Sequence, residues 1–558
     1  MGSSLSRREC LLVPLQGGSQ ARFGARATMR ADARPRVNLV RVLSLAVCLS
    51  GFLNGCGPTP ITTFTIVSGS ENRTLEPIVQ AFCKEQKIAC TFEYMGSLDI
   101  GMAVAENRGA FDAVWPANSV WIDLFDHNKR VVDLTSIMRS PVILGVRTGK
   151  AKELGWIDRA VSSRDIDEAV RGKRLTYLAS SATQSNSGAS AYITMLSAAL
   201  GSPTTITLAD LERPDVRDKV RSLLSGISRT AGSSAWLSDL YLKGLSQGVQ
   251  YDAMWNYEAV LAETNQILKD RNQELLYAIY PSDGMAIANS PLGFVDRGRG
   301  PSALKFFKAL QAHLLSPDVQ QRLVESFRRP AVGEVTGVKP DPSWNYDPAR
   351  LIKLIRMPDP AVMRTALDLY QDALRRPSLT VYCLDFSSDM RGQGEKAMRQ
   401  AMNFILSRDQ AAPLLVQHAA ADRIVVIPFD STTREVVRGS GTQADQTRLL
   451  DVVKAQQASG GSDFYACAER GLEEVLSTPN SLSYLPAIIV MTNGKSDDRL
   501  QEFLIRWRAS HRDIPIFGIT FGDGDPTQLA RLTEATRGRV FDGTTSLTEA
   551  FRTVRGYN

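Results

Sequence analysis

"SLTVYCLDFSSDM", residues 378–390, begins as an apolar, partly β-branched run and ends in acids and hydroxyls. The run has the length and composition of a buried strand. Asp385, Ser387, Ser388 and Asp389 then place carboxylates and hydroxyls within five residues, in the loop that follows the strand. Working outward, further strand-like runs follow: "RIVVIPFD", "REVVRG", "LPAIIVMTNG", "IPIFGITFG" and "GRVFDGT". Helical patterns separate most of them. "REVVRG" comes so soon after "RIVVIPFD" that it predicts an antiparallel edge strand, and the rest predict a doubly wound α/β sheet. In such a sheet the loops at the carboxyl ends of the strands share one crevice. Three loops therefore converge: Asp385–Asp389, Gly460-Gly461-Ser462-Asp463 and Thr492-Asn493-Gly494. Their oxygens suit a hard divalent cation, Mg²⁺ first, with Mn²⁺ or Ca²⁺ as alternatives.

Upstream, strand and helix patterns alternate again from residue 61. "FTIVSGS" leads into "NRTLEPIVQAFCKEQ", then come "ACTFEYM", "SLDIGMAVAEN" and "FDAVWPANS". The rhythm resumes at "RLTYLAS" and continues through "YDAMWNY", "LLYAIYP" and "MAIANSPLGFV". Helical patterns at 301–315 and 317–328 close the region, and six prolines between 330 and 360 mark a connection into a helix near 360–376. Two Gly/Ser loops stand where strands hand over to helices, Ser68-Gly69-Ser70-Glu71 and Ser185-Asn186-Ser187-Gly188. Helix starts offer unpaired N–H groups and partial positive charge, so two of them facing one cleft would hold a polar or anionic solute without Lys or Arg.

The formal net charge of +6 is carried by residues 1–55, where eight Arg face only Glu9 and Asp32. The remainder is balanced, which excludes electrostatic nucleic-acid binding as a function. Arg34, Arg36 and Arg41 precede Val42–Leu53, twelve uncharged and mostly apolar residues. That is a signal-peptide core rather than a membrane span. It ends in Leu53-Asn54-Gly55-Cys56, which resembles a bacterial lipobox and implies lipidation at Cys56. Met29 would give a signal of ordinary length. Export permits a Cys83–Cys90 disulfide, with two buried thiols as the other reading. Cys383 and Cys467, in apolar segments, are expected as core thiols. His127, His313, His418 and His511 are scattered, and neither zinc spacing nor a Gly-x-Ser-x-Gly elbow occurs, so no catalysis is expected.

The ordered set "TIVSGSENRTLEPIVQAFCKE", "YMGSLDIGMAV", "YDAMWNYEAVLAE" and "IYPSDGMAIANSPLGFV" resembles the extracellular solute-binding proteins of ABC importers, with the type 2 periplasmic-binding fold. The resemblance implies two α/β lobes, a crossing segment at "SPVILGVRT" and a cleft between the lobes. By position it makes Ser70, Ser97, Ser187 and Tyr257 the ligand-binding candidates, with Asp112 and Asp283 structural. Residues from about 378 to 555 resemble the von Willebrand factor type A domain and its metal-ion-dependent adhesion site. Asp385 and Ser387 match that pattern, whereas Asp389 replaces a Ser, Ser462 a Thr and Asn493 an Asp. The metal candidates are thus Asp385, Ser387, Asp389 and Ser462, with Asn493 in the outer shell. The implied chain is α/β throughout: leader 1–55, tether 56–60, a two-lobed periplasmic-binding-protein-like domain 61–335, connection 336–377 and a doubly wound, Rossmann-like domain 378–558. The expected function is that of a lipid-anchored, extracytoplasmic lipoprotein. It would bind a small polar or anionic solute and, metal-dependently, a protein partner through its C-terminal domain. If the cell is Gram-negative, it would face the periplasm from the outer membrane. The alternative is the solute receptor of an ABC importer with that domain as a docking accessory.

Overall fold

A computed structural model describes residues 61–333, 337–493, 495–520, 526–544 and 547–557. Strand Ser378–Asp385 is a central strand of a six-stranded sheet and is buried along its whole length. The sheet order is Val437–Ser440, Arg423–Phe429, Ser378–Asp385, Leu485–Thr492, Ile516–Thr520, Val540–Asp542. All neighbours are parallel except the first pair, so the predicted edge strand is antiparallel. The period-two alternation of the strand divides its apolar side chains between two layers. Leu379, Val381 and Cys383 pack against helices Phe464–Ser477 and Leu500–Ala509. Tyr382 and Leu384 face the opposite layer, with helices Gln393–Ile405 and Leu547–Arg555. Cys383 and Cys467, expected as core thiols, are instead joined in a disulfide with Cα atoms 5.9 Å apart. Their sequence separation of 84 conceals that helix Phe464–Ser477 lies across the strand. Cys83 and Cys90 are also joined.

The upstream region has two sheets. The first runs Ala89–Met95, Thr63–Gly69, Ala113–Trp115, Pro291–Val295, Val131–Ser136. The second is built on Met138–Arg147, which pairs with Ala253–Tyr257, and that strand leads on to Tyr177–Ser180 and Ile227–Ala231. The chain passes between the two lobes at 136–138 and again at 288–291. The stretch "SPVILGVRT", expected as a crossing segment, starts just past the first passage and is mostly the long strand of the second lobe.

The proline-rich connection is not a loose linker. Trp344 and Tyr346 are buried and stacked, 4.7 Å between ring centroids, and Asn345 donates to the Ala278 carbonyl in the second lobe. Helix Pro360–Leu369 continues into Tyr370–Leu374. Its Met363, Ala366 and Leu367 share one core with Val120, Trp121 and Leu124 of the first lobe and with Tyr192 of the second.

The second lobe and the C-terminal sheet also share a core: Leu178, Leu237, Tyr241 and Met254 belong to one apolar cluster with Tyr382, Leu384, Phe517 and Phe551. Each fully buried side chain of this kind contributes about 1.5–3 kcal/mol. Residues 58–558 accordingly form one compact unit. Among the described residues no helix is long and apolar enough to cross a membrane. Cys56 and the lipobox lie outside the described residues.

Candidate functional site

The interlobe cleft collects helix starts from both lobes. Ser70 follows strand Thr63–Gly69, Ser97 opens helix Ser97–Ala105, and Ser185 precedes helix Asn186–Ala199. Ser234 opens Ser234–Ser246, and Tyr257 ends its strand beside helix Glu258–Asp270. All four predicted ligand-binding residues are buried, and each hydroxyl already has a partner. Ser70 Oγ accepts from the Ala235 amide at 3.3 Å, across the cleft. Ser97 Oγ accepts from the Ala117 amide at 3.0 Å, within its own lobe. Ser187 Oγ lies 2.6 Å from Ser180 Oγ and 3.1 Å from Ser185 Oγ, so it ties its own loop together. Gly188 beside it admits no side chain: a Cβ there would sit 2.1 Å from the Ser180 carbonyl. Tyr257 OH accepts from Asn186 Nδ2 at 3.0 Å, and Asn186 Oδ1 accepts from Trp121 Nε1 of the first lobe at 2.8 Å.

The lobes are in contact. The Leu98 amide donates to the Gln184 carbonyl at 3.3 Å, and Gly96 lets that carbonyl approach so near that a Cβ would meet it at 2.2 Å. The cavity left at the base of the cleft is about 20 Å³, lined by Glu71, Asn72, Ser140, Tyr257, Ser290 and Arg328 among others. That is space for one water-sized group. Glu71 Oε1, Asn72 Oδ1 and Ser290 Oγ are buried there without a hydrogen bond among the described residues. Burial pushes the Glu71 carboxyl up to about 7, against the pull of hydrogen bonds from a backbone N–H and Ser234 and of the Arg328 charge. Asp112 accepts from the Thr65 amide and pairs with Arg299, and Asp283 accepts from Ser163 at the start of a helix. Both are structural. Glu71, Gln184 and Ser234 were not singled out in the sequence. Glu71 and Gln184 sit in or next to the quoted loops, but only the fold shows which of their groups meet.

In the C-terminal sheet the three loops do converge. Asp385 is fully buried. Its Oδ1 accepts from the Ser387 amide at 2.8 Å, and its Oδ2 accepts from Ser462 Oγ at 2.9 Å and from Thr492 Oγ1. Burial raises its pKa while the Thr492 hydroxyl and the Ser387 amide hold it down. Ser387 Oγ and Asn493 Oδ1 are buried and have no hydrogen bond among the described residues. Asn493 Nδ2 donates to the Asp389 carbonyl at 3.1 Å, whereas Asp389 itself is exposed. Asp463, next to Ser462, caps helix Phe464–Ser477 through the Ala466 amide and pairs with Arg499. Thr492 was quoted in the third loop but not named as a site residue, and Arg434 was missed. Thr492 closes an apolar strand and contacts Asp385 directly. Arg434 donates to the Phe386 carbonyl at 3.2 Å and to Asp430 at 2.9 Å, which fixes the first loop from outside. Among the described residues no three His, Cys, Asp or Glu side chains gather as a metal cluster. The donors present, two unengaged buried oxygens beside one carboxylate, are nevertheless hard oxygens of the kind Mg²⁺ takes.

Residues 64–329 match the family described as bacterial extracellular solute-binding protein, and residues 380–541 match the von Willebrand factor type A domain. No curated protein matches the chain. Among solved structures, the sulfate-binding protein SubI from Mycobacterium tuberculosis H37Rv is 17% identical, over 48% of this chain and 87% of that one, with a TM-score of 0.37. The periplasmic binding protein AfuA from Actinobacillus pleuropneumoniae is 12% identical, over 56% of this chain and 98% of that one, with a TM-score of 0.40. A von Willebrand factor type A structure from Catenulispora acidiphila is 17% identical, over 33% of this chain and 43% of that one, with a TM-score of 0.27.

Proposed function

For a chain that joins an extracellular solute-binding region to a von Willebrand factor type A region, we propose a cell-envelope binding protein, anchored through an acylated Cys56, that takes a small polar solute between its lobes and a protein partner on its C-terminal domain. Neither kind of region is generally enzymatic. The observation that carries the reading is the cleft: helix starts of both lobes meet there, and three buried oxygens of Glu71, Asn72 and Ser290 line the residual cavity without partners. Buried polar groups of this sort are a cost unless something satisfies them. A solute that bonds them would recover that cost after the lobes part to admit it.

The ligand class turns on Glu71. Its carboxyl is neutral below about pH 7 and charged above it. An oxyanion should therefore bind up to about tenfold more weakly at pH 8 than at pH 6, the most that one group titrating near 7 allows over that interval, because an added negative charge in a shielded cleft opposes it. Glu71→Gln should flatten that dependence. A sugar or polyol should show little of it.

For the three-loop site, Asp385, Ser387, Asp389 and Ser462, with Asn493 outside them, would hold one Mg²⁺-like ion, which would supply a positive centre for an acidic group of the partner. Thr492 and Ser462 orient the Asp385 carboxylate, and Arg434 fixes the loop.

Titration calorimetry of residues 58–558 at both pH values, with a panel of oxyanions, sugars and polyols and then Mg²⁺, Mn²⁺ and Ca²⁺, tests both parts. Heat from a solute that survives Asp385→Asn, and metal heat that does not, is the expected pattern. No heat from any solute would reject the cleft as a binding site. Metal heat unchanged by Asp385→Asn would reject the ion site.

A further inference from the structure

The last helix, Leu547–Arg555, belongs to the C-terminal domain, yet its end lies on the seam between the two lobes of the solute-binding region. Arg552 is buried. Its guanidinium pairs with Asp99 and contacts Met102 Sδ at 2.8 Å, both on helix Ser97–Ala105 of the first lobe. Its backbone carbonyl accepts from Gln184 Nε2 of the second lobe. The Gln184 backbone carbonyl is the one that receives the Leu98 amide across the seam. Gly556 lies so close to Gln184 that a Cβ would stand 1.7 Å from Oε1. Tyr557 then packs beside Gly232 and Trp236 of the second lobe, 5.9 Å between the two ring centroids.

One short segment thus holds the first lobe through Asp99 and the second through Gln184, on either side of the same contact. The chain passes between the lobes at 136–138 and 288–291, and a third time where it leaves helix Pro317–Glu325 for strand Arg329–Pro330, which pairs with Met138–Arg139. Any hinge motion that separates Gly96–Asp99 from Gln184 must break one of the two Arg552 bonds. The first-lobe side is the weaker attachment, since the second lobe shares an apolar core with the C-terminal sheet. Separating two buried, hydrogen-bonded groups of opposite charge costs free energy, so release is opposed.

We propose that the terminal helix is an intramolecular staple on the solute cleft, with the Ser97–Ala105 helix of the first lobe as its docking surface. The cleft opens only when Arg552 lets go of Asp99. Solute entry and the position of the terminal helix are then coupled reciprocally. A partner that draws the helix away from Asp99 opens the cleft, and a solute that needs the open cleft displaces the helix. The proposal rests on the cleft reading only in what the staple closes, and its test uses no solute.

The test is hydrogen exchange by mass spectrometry on residues 58–558. In Arg552→Ala, exchange at the Leu98 and Ala235 amides, both bonded across the cleft, should accelerate roughly tenfold or more, because local opening becomes cheaper. The amides of Val381 and Tyr382 in the buried central strand should not change. Asp99→Asn should give the same local acceleration from the other side, and the swap Asp99→Arg with Arg552→Asp should restore slow exchange. Unchanged Leu98 and Ala235 in both single variants overturns the staple. Acceleration everywhere, the central strand included, in both variants overturns it as well, because Arg552 would then support the whole body rather than the seam.

Discussion

Asp513→Ala is expected to destabilise residues 58–558 by up to about 3–5 kcal/mol, the range for removing one member of a buried charge pair, because its arginine partners are buried although Asp513 itself is a quarter exposed. Asp513 lies in the C-terminal domain, between helix Leu500–Ala509 and strand Ile516–Thr520. Its carboxylate pairs with Arg229 of the second lobe at 2.7 Å and with Arg537 of its own domain at 2.9 Å, and it accepts from Tyr251 OH of the second lobe at 2.7 Å. Both arginines are buried. Burial alone would raise the Asp513 pKa, but Arg229 and Arg537 override it and hold the carboxyl below its usual range. The stability this gives is present above the ordinary carboxylate pKa and is lost as pH falls through the lowered one. In the alanine variant the two guanidiniums lose their carboxylate and the Tyr251 phenol loses its acceptor, while the Arg537 carbonyl and Gln247 Oε1 that also receive the arginines are neutral and do not balance the charge. Urea unfolding should show a lower midpoint with an unchanged slope. A midpoint within about 0.5 kcal/mol of wild type, the scale of an ordinary surface change, would mean the triad is solvated and the interface is not held there.

Asp422→Asn is expected to cost about as much, 3–5 kcal/mol by the same reasoning, from inside the C-terminal domain. Asp422 is fully buried; it pairs with Arg375 and accepts from the Ser378 and Ala419 amides. Arg555, near the end of the terminal helix, stands 3.7 Å away and His418 Nδ1 3.5 Å away. Burial opposes the charge, but Arg375 first, then the His418 hydrogen bond and Arg555, drive the Asp422 pKa far below the carboxylate range. His418 is pushed the other way from its usual charge: burial, then the Arg555 charge, lower it to about 4. The unfolded chain takes up a proton at His418 near pH 6.5, and the folded chain does so only near pH 4. Stability should therefore fall as pH drops from about 6.5 to about 4, by about 3 kcal/mol from this group. The Asp422 contribution is fully present above its unfolded value near pH 4 and fades only below it, so the two windows follow one another. His418→Gln should remove the part of the acid dependence between about pH 6.5 and 4 and leave the part below pH 4, measured as urea midpoints on both sides of pH 4. An upper slope that persists in the variant would assign it to another group.

The C-terminal sheet was legible because its strands are continuous apolar runs buried on both faces, and such runs identify themselves. The antiparallel edge was legible from one short turn. The three-loop crevice followed from the rule that loops at strand ends converge, and Asp385, Ser387 and Ser462 do meet there. Thr492 was placed in the third loop but not among the site residues, because it reads as the last residue of a strand and its contact with Asp385 shows only in the fold. The Cys383–Cys467 bond was hidden by a helix crossing that spacing does not reveal.

The cleft was harder to read. Ser70 and Tyr257 do lie between the lobes, but a sequence does not show that Ser187 binds Ser180 and Ser185 instead of facing outward. Nor does it reveal Glu71 as a carboxyl shielded from water. The contacts of Arg552 with Asp99 and of Asp513 with Arg229 join residues hundreds of positions apart, with no local pattern at either end. The proline-rich stretch suggested a linker because proline marks irregular backbone. Trp344 and Tyr346 within it were the overlooked sign that it is packed down.

Scanning calorimetry of residues 58–558 tests the central claim most directly, that the solute-binding and von Willebrand factor type A regions are one cooperative body with the cleft held shut from the C-terminal side. The shared core predicts a single transition whose calorimetric and van't Hoff enthalpies agree, and Asp513→Ala should split it or lower it as a whole. Two resolved transitions in the wild type, with Asp513→Ala leaving both in place, would contradict it.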